Sequence, residues 1–390
     1  MQILKKVIIP FSLMTLIAIS FSLTAFADGD EVIPASTDNK ITSKSAILME
    51  ASTGQVLFEQ QAQQPLPIGT LNKIMTVLLV AEAVDSGKLA LTDQVTTSAY
   101  ANSMKQAVIW LNVGEKMSVD DLLKGVIVGN ANDASVALAE TIAGSEEAFV
   151  AKMNARAKEL GMSNTSFANC TGYDVEGQGS TAYDVALMSR ELIKHDWLKP
   201  YMTCWMDSLR GGATSIVNTN VLVKSYKGIS GIKAGYSDAA QNCLSVAATR
   251  DNVTYIAVIL GSADKDIRFT EAKNLLNTGF SNYQVRSPDV PSEVLNPIKV
   301  TGGTAREVGV KVENLANIII PNGTSKDLRN EVTLPKEIKA PIKNNQVIGE
   351  ISFYRGDNLI YKSNLLAINE VDKMTMFKAF GILSQNMLQF

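Results

Sequence analysis

Apolar positions along the chain fall into runs of different period, and the periods lay out the elements. From Ile74 to Val84 almost every residue is apolar, too long for a strand and greasy on every face, which predicts a buried helix over 70–86. Pro67 and Gly69 punctuate its start, Thr70 sits at its N-cap or first turn, and Ser86-Gly87 closes it. Ahead of it, Ser45 to Glu50 and Gln55 to Glu59 read as two strands joined by the turn Ala51-Ser52-Thr53-Gly54. From 96 to 160 the pattern is helical, over Val119 to Val128, Ala134 to Thr141 and Glu146 to Leu160, and Ser180-Thr181-Ala182-Tyr183-Asp184 opens a further helix to about Lys194. Strands return at Val217 to Lys224, Cys243 to Arg250 and Thr254 to Leu260, before a helix from about Asp266 to Asn277. Strands early and late around a helical middle predict an α+β domain whose sheet joins distant parts of the chain.

The pattern changes near Arg286 to Pro297, where Pro288, Pro291 and Pro297 cluster. Short alternating runs follow, at Ile298–Thr301, Glu307–Val312, Asn317–Ile320, Val347–Tyr354 and Leu359–Lys362, the signature of a small all-β domain over 286–370. The last segment, 371–390, carries Met374, Met376, Phe377, Phe380, Leu383 and Met387 among few charges and reads as an amphipathic helix, either lying on a membrane or packed on protein. Asp372, Lys373 and Lys378 interrupt it too often for a span.

The N-terminus changes the picture of where the chain works. Lys5 and Lys6 precede an apolar stretch from Val7 to about Leu23, and Ala25-Phe26-Ala27 is a small-x-small cleavage site, so 1–27 reads as a secretory signal peptide with 28–285 as the first domain. Cleavage there removes two positive charges and no acidic residue, so the formal charge of −3 becomes more negative and offers no basic excess for nucleic acid. The roughly 360 residues that remain exceed one ordinary core. Three cysteines, Cys170, Cys204 and Cys243, are too scattered for a disulfide framework or a zinc site, though a single disulfide stays open. The lone histidine, His195, lies in the polar Lys194-His195-Asp196-Trp197 at a helix end, which argues against a Ser-His-Asp triad or a histidine-rich metal centre. If the chain is a hydrolase, a lysine is its base, and no cofactor or metal is expected.

One lysine fits that role. Lys73 falls one turn inside the apolar helix, where partial desolvation would depress its pKa, and the Thr70 hydroxyl lies three residues ahead on the same face. A threonine cap beside a snorkelling lysine is the plain alternative. Two further stretches bear on the choice: the polar break Gly129-Asn130-Ala131-Asn132-Asp133 between two apolar runs, and the Gly-bounded Ser230-Gly231-Ile232-Lys233-Ala234-Gly235-Tyr236-Ser237, leading toward a strand. Taken together, 70–73, 130–132 and 233–235 resemble in order and spacing the Ser-x-x-Lys, Ser-x-Asn and Lys-Thr-Gly motifs of the penicillin-binding D-alanyl-D-alanine carboxypeptidases, which share them with class A β-lactamases. The resemblance continues through Asn164-Thr165, Asn169 with Gly172, Asn218-Thr219-Asn220, Arg268-Phe269 and Ala340-Pro341-Ile342-Lys343. It implies a serine β-lactamase/DD-peptidase-like domain, an antiparallel sheet with a helical cluster, followed by a β-rich domain, at the outer face of the cytoplasmic membrane. Peptidoglycan stem peptides are the implied substrate and β-lactams further ligands.

Each motif departs from the family's pattern. Thr70 stands for the nucleophilic serine and Gly69 for a usual alanine; Asn130 replaces the second serine while Asn132 remains; Ala234 replaces the threonine while Lys233 and Gly235 remain. By the resemblance, Thr70 is the nucleophile, Lys73 its base, Asn130 the proton-relay position, and the backbone N–H groups of Thr70 and Tyr236 hold the oxyanion. An amide at Asn130 cannot shuttle a proton, and losing one general-acid step costs about 10²–10⁴-fold. Losing the hydroxyl at Ala234 removes a hydrogen bond to a carboxylate worth roughly 1.5–3 kcal/mol. Two readings follow: a slow carboxypeptidase working through an acyl-enzyme, or an inactive homologue that binds or scaffolds wall peptides. A β-lactamase is a weaker third, disfavoured by the second domain and the altered relay position.

Overall fold

The computed structural model describes residues 40–324 and 328–387. The expected signal peptide lies outside the described residues. The first domain is built on a five-stranded antiparallel sheet of β1 (Ser45–Glu50), β2 (Val56–Gln60), β3 (Ile229–Ser237), β4 (Gln241–Arg250) and β5 (Val253–Ser262). Their spatial order, β2-β1-β5-β4-β3, places the N-terminal hairpin beside the last strand and leaves β3 at an edge. Apolar side chains cover both faces, which is why β1 and β5 read as continuous apolar runs with little alternation. One face packs on the helical cluster, through Ile47, Met49, Ala247, Ile256 and Val258. The other carries Leu48, Leu244, Tyr255 and Ile259 and packs on the late helix and Ile319.

The helical middle comprises α1 (Lys73–Asp85), α2 (Val119–Ile127), α3 (Asn132–Ala143), α4 (Glu146–Glu159) and α5 (Ala182–Leu192), and α6 (Lys265–Asn282) lies on the opposite face of the sheet. Their starts are set chemically: side chains of Ser118, Ser145, Thr181 and Asp264 each accept a backbone N–H of the first turn. α1 is buried from Lys73 to Leu78 and again at Val80 and Ala81, as its unbroken apolar run demands. It begins later than expected, because Gly69–Asn72 form a separate 3-10 turn ahead of it.

Three sequence expectations are corrected. The stretch 96–160 is not helical throughout: Gln94–Thr96 and Lys116–Ser118 pair as a hairpin, and the loop between is held by the Asp133 carboxylate, which accepts the N–H groups of Ile109 and Leu111. Val217 to Lys224 is not a strand; Thr214–Val217 pairs with Met206–Leu209, and Val221–Lys224 is a 3-10 turn capped by the Asn220 side chain. The third motif, Lys233-Ala234-Gly235, does not lead into a strand but lies within β3.

Beyond α6 the strand Tyr283–Arg286 pairs with Ile318–Pro321, so Ile319 joins the core of the first sheet. The β-rich region has its own core of Val294, Ile298, Val308, Ile342, Ile351 and Leu365. Its four-stranded sheet takes Leu328–Thr333 as an edge strand, missed by pattern because five of its six residues are exposed and no apolar face is needed there. The terminal helix spans Met376–Met387, starting later than 371 because Val371 is buried in a bridge to Ile342.

Candidate active site

The turn Gly69–Asn72 carries Thr70 against the edge of β3. Gly69 adopts φ +51°, and a Cβ there would come within 2.8 Å of the carbonyl carbon and oxygen of Tyr236. The missing side chain is therefore what lets the turn abut β3 at Tyr236. Gly172 closes the turn from the other side, where a Cβ would lie 2.2 Å from the Gly69 oxygen. Thr70 Oγ1 accepts the Tyr236 N–H at 3.3 Å.

Lys73 enters α1 fully buried. Its Nζ donates to Asn132 Oδ1 and to the Thr171 carbonyl, both at 2.6 Å. Burial, reinforced by repulsion from Lys233, pulls its pKa well below the usual lysine range. Among the described residues, no hydrogen bond joins Lys73 to the Thr70 hydroxyl. The two are one helical turn apart, each held by its own partners.

Asn132 opens α3 and is buried; its Nδ2 donates to the Lys105 carbonyl at 2.9 Å, so its amide bridges Lys73 and the 103–112 loop. Asn130, two residues earlier, sits at φ +58°, a left-handed conformation that asparagine tolerates well. Its Oδ1 is buried without a hydrogen-bond partner among the described residues. On β3, Lys233 is buried and donates from Nζ to the Val126 carbonyl at 3.1 Å; burial lowers its pKa to about 7. Ala234 points its methyl group into the core behind the sheet, beside residues such as Leu222 and Leu244. Gly235 packs on Leu71, and the exposed Tyr236 ring donates its hydroxyl to Asp238.

Thr70, Lys73, Asn132, Lys233 and the Tyr236 amide thus converge between the helical cluster and the sheet edge, from stretches up to 166 residues apart. Several contributors carry no side-chain signal, because they act through backbone carbonyls: Lys105, Val126 and Thr171. Asn169 does carry one. Its Oδ1 accepts three donors, Thr171 N, Thr171 Oγ1 and Gly172 N, and so shapes the loop whose carbonyl holds Lys73. Arg268, noted in the sequence only as part of a resemblance, donates from Nη1 to the Gly235 carbonyl at 2.6 Å and to the Cys243 carbonyl at 3.0 Å. All three cysteines are free, Cys170 and Cys243 buried, so the disulfide left open by the sequence is not formed. Among the described residues, no group of acidic, cysteine or histidine side chains is arranged to hold a metal ion.

An antiparallel sheet with a helical cluster, a hydroxyl and a buried lysine one turn apart, and a further β-rich domain define a DD-peptidase-like protein. The D-alanyl-D-alanine carboxypeptidase family profile matches residues 32–264, and that of the penicillin-binding protein 5 C-terminal domain matches 283–373. The chain is 35% identical over 365 residues to the D-alanyl-D-alanine carboxypeptidase DacF of Bacillus subtilis, covering 93% of each. It is 34% identical to DacC of Escherichia coli, over 92% of this chain and 90% of that one. Among solved structures, penicillin binding protein 5 from Haemophilus influenzae superposes with a TM-score of 0.80 at 29% identity, over 87% of this chain and all of the other. Penicillin-binding protein D2 from Listeria monocytogenes, in its cefotaxime-bound form, superposes with a TM-score of 0.55 at 30% identity, over 63% of this chain and all of that one. The chain belongs to the D-alanyl-D-alanine carboxypeptidase family, the low-molecular-mass penicillin-binding proteins.

Proposed function

We propose that this protein is a slow D-alanyl-D-alanine carboxypeptidase of the cell envelope, cleaving the terminal D-alanine of peptidoglycan stem peptides through an ester on Thr70. The observation that carries the reading is the fully buried Lys73, its pKa depressed, one turn after a hydroxyl that already meets the Tyr236 N–H. A neutral amine at this depth can take the Thr70 proton as Oγ1 attacks the peptide carbonyl. Negative charge develops on the former carbonyl oxygen, where the Thr70 and Tyr236 N–H groups donate to it. The proton passes to the leaving D-alanine amine, the ester forms, and water then hydrolyses it to release the shortened peptide and restore Thr70.

The rate is limited at the transfer to the leaving amine. Asn130 has no exchangeable hydroxyl proton to pass on, and its unpartnered Oδ1 can only orient a donor such as the amine. Lys233 supplies charge for the substrate's terminal carboxylate, and Ala234, turned into the core behind the sheet, adds no polar group to it. Secretion across the membrane and peripheral attachment through the terminal helix complete the reading; Met376, Phe377 and Phe380 are 90, 93 and 75% exposed, an apolar surface of the kind that enters a lipid interface.

Intact-mass spectrometry after long incubation with benzylpenicillin tests the nucleophile. A penicilloyl adduct is expected on the parent chain and absent from Thr70→Ala. Asn130→Ser restores a relay hydroxyl and is expected to speed D-alanine release from a pentapeptide by about 10²-fold or more. A folded parent chain with neither adduct nor D-alanine release overturns the proposal.

A further inference from the structure

The Gly235–Tyr236 peptide is held from both sides. Its N–H faces Thr70, and its carbonyl oxygen, pointing the opposite way, accepts Nη1 of Arg268 at 2.6 Å. Arg268 lies in the first turn of α6, behind the sheet, and is 8% exposed. Its other hydrogen bonds also go to carbonyls, Cys243 at 3.0 Å and Lys265 at 3.2 Å. Its guanidinium carbon stands 4.8 Å from the centre of the Phe269 ring. Among the described residues, no carboxylate lies within ion-pair distance of it. A buried guanidinium is costly to retain without a counter-charge. Here its positive charge is directed onto peptide oxygens.

We infer that Arg268 is a positioning residue that strengthens the oxyanion donor: by bonding the Gly235 carbonyl it polarises the Gly235–Tyr236 peptide, and so sharpens the Tyr236 N–H that faces Thr70. The chemistry is that of amide resonance. A positive donor on the oxygen draws electron density from nitrogen, shifts the amide toward its charge-separated form and makes the N–H more acidic. Hydrogen bonds from an ionised donor are roughly twice as strong as neutral ones, and burial limits screening. The same bond fixes the peptide plane, so the N–H stays aimed at Thr70 before substrate arrives. The inference deepens the acyl-enzyme reading and rests on it for its functional consequence, though the polarisation itself is a property of the resting protein.

The test is chosen to read that property directly. Labelling with carbonyl-¹³C glycine and ¹⁵N tyrosine selects only the two Gly-Tyr peptides of the chain, Gly172–Tyr173 and Gly235–Tyr236, so the first serves as an internal control. In Arg268→Met and Arg268→Gln, the Gly235 carbonyl carbon and the Tyr236 amide proton are expected to move upfield while the control pair stays in place. Arg268→Lys, which keeps the charge, is expected to hold both near their original positions. Penicilloylation of Thr70 should slow about tenfold or more in the two neutral variants and recover in the lysine one, less than the 10²–10³-fold lost when an oxyanion donor is removed outright. Unmoved Gly235 and Tyr236 resonances in a folded neutral variant overturn the inference. So does a glutamine variant indistinguishable from the lysine one, because then the side chain is only a tether. If the parent chain forms no adduct yet the resonances shift as described, the polarisation stands and it is the Thr70 nucleophile that falls.

Discussion

At Gly69 and Lys233, single residues set the terms on which the site exists. Gly69 combines φ +51° with a position where any Cβ would meet the Tyr236 carbonyl at 2.8 Å. Gly69→Ala therefore pushes apart the two peptides that frame the reacting carbonyl, and at positive φ such a change also costs more than the ~1 kcal/mol an ordinary glycine-to-alanine change can gain. The expected outcome is a lower melting temperature together with loss of the penicilloyl adduct; an alanine variant acylated at the parent rate would show that β3 gives way freely. Lys233 has a folded pKa of about 7, below its unfolded value, so between pH 7 and about 10 the unfolded chain binds the extra proton. Its contribution to stability consequently rises with pH through that window, and below pH 7 the cost of burying its charge is fully present. Lys233→Met should flatten the rise in melting temperature between pH 6.5 and 9 relative to the parent chain. Binding of a carboxylate ligand should have the opposite sense, weakening as pH climbs past 7, since only the ammonium attracts it.

Elements matter here chiefly by where they end. Lys73 is buried because α1 runs into the interior, yet its amine is satisfied by a loop carbonyl, Thr171, whose position depends on the Asn169 side chain. Asn169→Ala removes three hydrogen bonds to a buried oxygen at once. Each net bond is worth about 1 kcal/mol. A loss of about 2–3 kcal/mol in chemical denaturation is expected, with acylation slowed further than stability alone explains because Lys73 loses its anchor. A variant as stable as the parent would mean that the 169–172 loop is held by the glycine packing instead. Asn169, Gly172 and the N-cap threonine Thr181 were all visible in the sequence as short polar or glycine signals. The hairpin Met206–Val217 was not, because its strands are four residues long and each buries a single residue. The same is true of the edge strand Leu328–Thr333, which has no buried face to impose alternation.

Across the whole molecule, the sheet that supports the site joins strands from opposite ends of the first domain, with Ala46 beside Ile259, while Lys233 lies beside Ser245 of the next strand along the chain. The terminal helix lies at the other end of the chain. Among the described residues, no helix is long and apolar enough to cross a membrane. If the helix lies on a lipid surface, the chain from residue 28 onward should float with phosphatidylglycerol vesicles, and Phe377→Ser with Phe380→Ser should leave it in the soluble fraction while the melting temperature holds. Flotation unaffected by the pair would remove the helix from that role.

By itself the sequence determined the α+β class, the buried helix, the residues at the three motif positions and their departures from the family's pattern, because period, punctuation and spacing are local properties. It also marked Lys73 as the base candidate, since a lysine in an unbroken apolar run is conspicuous. Only the tertiary structure decided that Gly69 serves contact with Tyr236, that Asn132 and Thr171 share the Lys73 amine, that Lys233 is buried deeply enough to titrate near 7, and that Arg268 reaches the back of the Tyr236 peptide. Those facts depend on which distant segments the sheet brings within a few ångströms, and on backbone carbonyls, which every residue carries and no sequence pattern distinguishes.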